Sequence, residues 1–248
     1  DYNLKVFLTK GGYFKKIKLT SLRGNAKQKT KKRDKVIAEC EGDNTNELLL
    51  FSNKHMVYKR QLQDLSTCKA SELGLYLKNE LSLDKKEKII FMTLIDSEEP
   101  KGHMYFTYEN GKIAKVPLES YTTKTNRKYL KNAYSDSYPL VSIYRLKEDE
   151  PITTFRKYKS DYRALTVDAA AISEKKTRSV NGITVHKLRN GSECIFSCPS
   201  SLAQEYDLNL TTDRFEGKVS RVGGSLGSTY IKRLKKLVKK EGVKVLVK

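Results

Sequence analysis

An eleven-residue pattern recurs along this chain of 248 residues: a turn residue, a mixed pair, a basic residue, an alternating stretch, a leucine-like residue and a closing apolar one. Gly12-Tyr-Phe-Lys-Lys-Ile-Lys-Leu19-Thr-Ser-Leu22 is the clearest copy. His55 to Leu65 and Gly111 to Tyr121 are the second and third, Ser160 to Ala170 a weaker fourth with Val167 in the leucine place, and Ser201 to Thr211 the weakest. Each of the first four follows a short apolar run: Val6-Phe-Leu-Thr9, Leu49-Leu-Phe-Ser52, Met104-Tyr-Phe-Thr107 and Ile152-Thr-Thr-Phe155. Run, turn and alternating run make a β-hairpin. Further apolar strands lie between copies, at Glu87–Met92 and Pro139–Tyr144. A hairpin plus a strand every ~40–50 residues is the period of a propeller blade, which cannot bury its own faces and must stack on its neighbours. The reading is all-β, with a sandwich or meander as the rival.

Helical spacing is scarce. Ser71–Leu77 allows one short turn, which Gly74 limits. Ser228–Gly242 places Ile231, Leu234, Leu237 and Val238 at helical spacing, with Ser228 as cap and Gly242 as stop. It reads as a short basic helix or as an irregular strand of the last blade, and Val243–Val247 reads as a final strand.

Charge is uneven. The formal net charge is +20, yet residues 1–35 hold twelve basic and two acidic residues and residues 231–248 hold eight and one. The middle, 36–230, is nearly balanced at +3. Basic ends on a balanced body point to a polyanion partner. Lysine outnumbers arginine 37 to 12, which suits backbone phosphates better than base edges. No apolar run reaches the ~18 residues of a membrane span, and no signal peptide opens the chain. The chain starts Asp1-Tyr2-Asn3 without Met and reads as a fragment. Cys40, Cys68, Cys194 and Cys198 are dispersed, and His55, His103 and His186 stand alone. No metal, cofactor or catalytic residue is expected, and dispersed thiols suit a reducing cytosol.

The repeats resemble the C-terminal domain of the A subunit of bacterial type IIA topoisomerases, that is, DNA gyrase and topoisomerase IV. The resemblance rests on Val6–Leu19, supported by Leu48–Arg60, Phe106–Leu118 and Thr177–Val185. It is good to about residue 190. It implies a β-pinwheel, a propeller-like domain whose blades share strands with their neighbours. Taken with the repeats, the expectation is one domain of about five blades, roughly 1–40, 41–95, 96–145, 146–190 and 191–248. In that family the rim is basic and duplex DNA wraps or bends around it, and the catalytic tyrosine lies in another domain. The resemblance thus implies a non-catalytic module of a bacterial, cytoplasmic, nucleoid-associated ATP-dependent topoisomerase. Its partners would be double-stranded DNA, the ATPase B subunit, plus the remainder of the enzyme's A subunit, with no membrane. Gyrase carries a glycine- and arginine-rich box after the first outer strand. Here Arg23-Gly24-Asn-Ala-Lys27-Gln-Lys29-Thr-Lys31-Lys32-Arg33 is basic without paired glycines, which favours topoisomerase IV. Arg221-Val-Gly223-Gly224-Ser-Leu-Gly227 reads as a turn, because no Gly-Lys-Ser/Thr ending follows.

The main DNA contact is expected at Lys15, Lys16, Lys18, Lys27, Lys29, Lys31, Lys32 and Arg33. Secondary contacts are expected at Lys59, Arg60, Lys115, Arg163, Arg178, Arg221, Lys232, Arg233, Lys235 and Lys236. If the blades close into a ring, the two basic ends become neighbours. The rival readings are a gyrase wrapping domain with a degenerate box, a protein-interaction propeller, and an enzyme with its site in a central channel.

Overall fold

The computed structural model describes residues 1–22, 24, 27–159, 161–201 and 229–230. In chain order the strands are β1 (Asn3–Thr9), β2 (Tyr13–Lys18), β3 (Val36–Asp43), β4 (Glu47–Ser52), β5 (Val57–Gln61), β6 (Leu75–Tyr76), β7 (Ile89–Ile95) and β8 (His103–Tyr108). They continue with β9 (Lys112–Pro117), β10 (Tyr129–Leu130), β11 (Leu140–Leu146), β12 (Pro151–Tyr158), β13 (Asp161–Asp168), β14 (Ile183–Thr184), β15 (Glu193–Pro199) and β16 (Thr229–Tyr230). They form four antiparallel sheets, ordered β3-β1-β2-β6, β10-β5-β4-β7, β11-β8-β9-β14 and β15-β12-β13-β16. The chain divides into two compact units. Among the described residues one holds 1–101 and 121–133, and the other holds 102–120, 134–201 and 229–230.

Each sheet is centred on one of the repeated hairpins, and in the first three sheets the fourth strand is lent by the stretch after the next hairpin. Thus β6 follows β5 in sequence but pairs with β2, Tyr13 opposite Tyr76. In the same way β10 pairs with β5, β14 with β9 and β16 with β13. The alternating runs form these strands because one face of each is apolar: Leu4, Val6 and Leu8 of β1 are fully buried. In the first unit they pack with Phe14, Leu48, Leu50, Tyr58, Leu62 and Met92 into one core. Full burial of each such side chain contributes about 1.5–3 kcal/mol. The second unit buries Ile113, Val116, Ile143, Ile152 and Leu165 together with stacked rings, Tyr105 on Tyr144 at 5.4 Å and Phe155 on Phe196 at 4.3 Å between centroids.

The first three hairpins turn through five residues, and a left-handed residue closes each: Gly12 (φ 89°), His55 (φ 62°) and Gly111 (φ 81°). A 3-10 turn follows each, starting at Leu19, Leu62 and Leu118. The fourth hairpin differs. Tyr158 pairs with Asp161 across a two-residue loop, and the strands run eight residues each. Its 3-10 turn therefore starts at Ala169, and Ala169 rather than Val167 takes the leucine place. The helical turn expected at 71–77 is displaced to Leu77–Glu80, where it forms a single α-helical turn, α1. Gly74 (φ 87°) lies outside it, where a Cβ would meet the Phe14 carbonyl oxygen at 2.3 Å.

Thr229–Tyr230 form a strand paired with Arg163 and Ala164. The helix expected from Ser228 is corrected at its start, because these backbone groups complete the fourth sheet. The fifth repeat copy beyond Ser201, the stretch 221–227 and residues 231–248 lie outside the described residues. No helix among the described residues is long and apolar enough to cross a membrane.

Three lysines link successive repeats. Lys16, Lys59 and Lys115 each stand three residues before the leucine that opens the 3-10 turn, and they are 2%, 3% and 6% exposed. Lys16 Nζ donates to the Leu62 and Leu65 carbonyls, at 2.6 and 2.9 Å, at the 3-10 turn of the following repeat. Lys115 Nζ donates to the Ala169 carbonyl at 3.0 Å, again the start of the next 3-10 turn, and pairs with Asp149 at 3.2 Å. Lys59 Nζ donates to Thr123 Oγ1 at 3.1 Å, just past the third turn, and pairs with buried Glu47 at 3.0 Å. Thr166 takes this place in the fourth repeat and shares a hydrogen bond with Thr153 at 2.9 Å.

Removing one partner of a buried charge pair costs about 3–5 kcal/mol, and leaving buried carbonyls without a donor about 1–3. Urea unfolding is expected to show Lys59→Met losing more stability than Lys16→Met, with part of the Lys59 loss recovered by adding Glu47→Leu. An equal or smaller loss for Lys59→Met overturns this reading.

His186 is fully buried, and its Nδ1 shares a hydrogen bond with Thr154 Oγ1 at 2.9 Å. Burial and the Arg156 guanidinium push its pKa down to about 3. The unfolded chain takes up this proton near pH 6.5 and the folded chain does not. Stability from His186 is therefore complete above pH 6.5 and is lost as the pH falls toward 3. The expected loss is about 2–3 kcal/mol between pH 7 and 4.5. Chemical denaturation of the wild type and His186→Asn at both pH values checks it: the variant is expected to show the smaller drop.

Candidate nucleic-acid interface

The described residues of the insert between β2 and β3 form no strand, yet hydrogen bonds hold them down. Lys29 N–H donates to the Ala70 carbonyl at 2.8 Å. Asp34 Oδ1 accepts from the Gly11 and Lys35 N–H groups, both at 2.8 Å. Burial alone would raise the Asp34 pKa, but bonds from Thr9, Gly11 and Lys35 outweigh it and hold the pKa below the ordinary value. Along residues 27–31 the burial alternates: Lys27, Lys29 and Lys31 are exposed, while Gln28 and Thr30 are half-buried. Lys32, Arg33 and Lys35 are exposed as well. Lys31 Nζ lies 5.4 Å from the centroid of the Tyr13 ring, and a hydrogen bond to Tyr13 raises its pKa. Tyr13 in turn stacks on Tyr76 at 5.0 Å. Lys18 is exposed, with its Nζ 4.6 Å from the Tyr2 ring centroid.

Four of the expected contacts are not surface groups. Lys15 is fully buried, and Lys16, Lys59 and Lys115 nearly so. Lys15 Nζ donates to Gln28 Oε1, Lys29 O and Ala70 O at 3.1, 2.7 and 3.0 Å. Burial lowers its pKa, against the charges of Cys68 and Glu72, which raise it, while Lys29 adds to the lowering. Alternation along β2, β5 and β9 suggests a basic outer face. These lysines instead point inward, where carbonyl, hydroxyl or carboxylate oxygens replace water around the ammonium. Arg60 is half-buried, donates to the Lys59 and Lys128 carbonyls at 2.8 and 3.0 Å, and faces Glu80 at 3.7 Å. Arg178 is half-buried and donates to the Ser120 carbonyl at 3.2 Å. Arg163 is half-buried in β13. Arg221, Lys232, Arg233, Lys235 and Lys236 lie outside the described residues.

A basic segment not picked out from the sequence leads into β10. Lys124, Arg127, Lys128 and Lys131 are all exposed, and Tyr129 among them is 51% exposed. Its backbone is tied down: the Lys128 carbonyl accepts from Lys59 N–H at 2.8 Å, and Ala133 N–H donates to the His55 carbonyl at 2.9 Å. The signal is present, since no acidic residue falls between Tyr121 and Tyr134. Counting charge over 36–230 as one block conceals it. The corresponding lead into β6 carries Lys69 against Glu72, and the lead into β14 carries Lys175, Lys176 and Arg178 beside Glu174. Among these leads, that of β10 is the most basic.

The histidines are separate. His55 is in a hairpin turn, His103 touches Glu174, and His186 is buried beside Thr154. Among the described residues no group of three or more His, Cys, Asp or Glu is placed to hold a metal ion.

No protein-family model matches the chain. It is 27% identical over 127 residues to the A subunit of DNA topoisomerase 4 from Bacillus subtilis, covering 50% of this chain and 16% of that protein. It is 21% identical over 242 residues to the Staphylococcus aureus protein of the same name, covering 92% of this chain and 29% of that protein. The chain thus spans less than a third of the length of these relatives. Among solved structures it is similar to a C-terminal domain of DNA topoisomerase IV, with TM-score 0.65 and 24% identity over 79% of this chain and 61% of that one. It is similar to the Escherichia coli ParC C-terminal domain, with TM-score 0.61 and 11% identity over 79% of each chain. A DNA gyrase A C-terminal domain gives TM-score 0.50 and 15% identity over 79% of this chain and 64% of that one.

Proposed function

The chain has the β-pinwheel fold of the C-terminal domains of type IIA topoisomerase A subunits, and from that premise we propose that it is a non-catalytic, duplex-DNA-binding domain of such an enzyme, of the topoisomerase IV kind. The observation that carries the reading is the pairing of exposed cations with tied-down backbone in two segments. One is the insert with Lys27, Lys29, Lys31, Lys32 and Arg33, and the other is the lead into β10 with Lys124, Arg127 and Lys128. Cations held in place lose less freedom on binding than cations on a loose loop. Lysine favours phosphate over base edges, so binding has little sequence preference. The missing paired glycines at 23–33 and the topoisomerase IV relatives support bending or capture of DNA over gyrase-type wrapping. A bend over 20–30 bp costs roughly 1–6 kcal/mol, which added phosphate contacts offset. The partners in the whole enzyme are the ATPase B subunit, together with the remainder of the A subunit, in the bacterial cytoplasm at the nucleoid.

Duplex binding across a salt series tests this, since each phosphate neutralised contributes about −0.9 to the slope of log K against log salt. Replacing Lys27, Lys29, Lys32 and Arg33 by Ala is expected to flatten the slope by up to ~3–4, and replacing Lys124, Arg127 and Lys128 by up to ~2–3. Thermal stability is expected to stay near wild type, because surface changes each fall within about 0.5 kcal/mol. Unchanged slopes in both variants remove these segments as the contact. A relaxed circle closed in the presence of the wild-type chain is expected to keep its linking number, and a change of fixed sign turns the reading to gyrase-type wrapping.

A further inference from the structure

Lys15 is an expected DNA contact by sequence, and the fold places it where it cannot touch DNA. Its side chain has no exposed surface, and its three N–H donors have three acceptors: Gln28 Oε1, the Lys29 carbonyl and the Ala70 carbonyl. Two of these belong to the insert and one to the segment leading into β6. The Lys29 N–H to Ala70 O bond joins the same two segments alongside. An ammonium satisfies three acceptors that converge on a point, which neither a planar guanidinium nor an apolar side chain matches.

We infer that Lys15 is a positioning residue for the DNA contact: it pins the insert against the body so that Lys27, Lys29 and Lys31 stand outward in a row while Gln28 and Thr30 turn inward. This rests on the insert being a DNA contact, as proposed above. The insert lacks the ladder hydrogen bonds that hold the neighbouring strands, so its shape depends on a few side-chain bonds. Those of Asp34 fix its downstream end, and the remaining fixed point with three bonds is Lys15. Without the pin, the same charges remain on the chain but must be ordered when DNA binds.

The test compares Lys15→Met with Lys16→Met. Both remove one buried positive charge, but Lys16 donates to Leu62 and Leu65 and not to the insert. Brief trypsin treatment of the folded chain, read by mass spectrometry, reports cleavage after Lys27, Lys29, Lys31, Lys32 and Arg33. Lys15→Met is expected to speed cleavage there several-fold over both Lys16→Met and wild type. Its duplex affinity is expected to fall roughly 5- to 20-fold through the added ordering cost, with a salt slope within about half a unit of that of Lys16→Met. Gln28→Ala removes one acceptor and leaves the ammonium in place. It is expected to give the same selective cleavage to a smaller degree, which keeps the test open if Lys15→Met folds poorly. Cleavage no faster than in Lys16→Met overturns the pin. A slope that drops by about 0.9 relative to Lys16→Met makes Lys15 a direct contact instead. Fast selective cleavage with unchanged affinity keeps the pin but overturns the insert as a DNA contact, so failure of the two readings is told apart.

Discussion

A buried lysine ammonium ringed by oxygen acceptors is the interaction on which the packing of the repeats depends. Lys16, Lys59 and Lys115 occupy the same place in three hairpins; Lys16 and Lys115 reach the turn that ends the next hairpin, and Lys59 reaches Thr123 and Glu47. Each turn closes through one backbone bond, Leu65 N–H to the Leu62 carbonyl and Ile172 N–H to the Ala169 carbonyl, and the same oxygens have a second lone pair to offer. The Lys16 and Lys115 ammonium groups take it up and join one repeat to the next. Apolar packing alone is non-directional and would let neighbouring sheets slide. Donors and acceptors at 2.6–3.2 Å do not.

The same residue type therefore has two opposite roles in one chain, and local surroundings decide which. In the hairpins lysine is an interior fastening, dehydrated and matched by oxygen atoms. In the insert and the lead into β10 it is exposed, and no acidic residue falls between Lys124 and Lys131 along the chain. The conversion of Lys15 from expected contact to internal pin shows how closely the two roles adjoin. It is followed immediately by Lys16, buried in the opposite direction between repeats.

Much of the fold is legible in the sequence because the hairpin signals are local. Gly12 and Gly111 mark left-handed turns, and Leu62 and Leu118 mark the 3-10 turns that follow. The exchanged strands are not legible. β6, β10, β14 and β16 are two residues each, too short to show a period, and their pairing depends on distant partners. The fourth repeat misleads because its loop is shorter and its strands longer, which moves the leucine place to Ala169. Among the site residues, exposure is readable where cations alternate with small polar groups, as in Lys27–Lys31. It is misread at Lys15, Lys16, Lys59 and Lys115, since alternation tells which face a side chain takes but not whether water or a neighbouring segment covers that face.

The lending of strands between repeats also sets a timetable for the growing chain. Each hairpin leaves the ribosome with one edge unpaired, and the strand that closes it lies roughly 60 residues downstream, about 3–12 s of synthesis at usual rates. An open edge is a template for pairing with another nascent chain. The molecule passes through its own production with one sheet always awaiting its last strand, and translation speed becomes part of what keeps neighbouring chains on a polysome from joining.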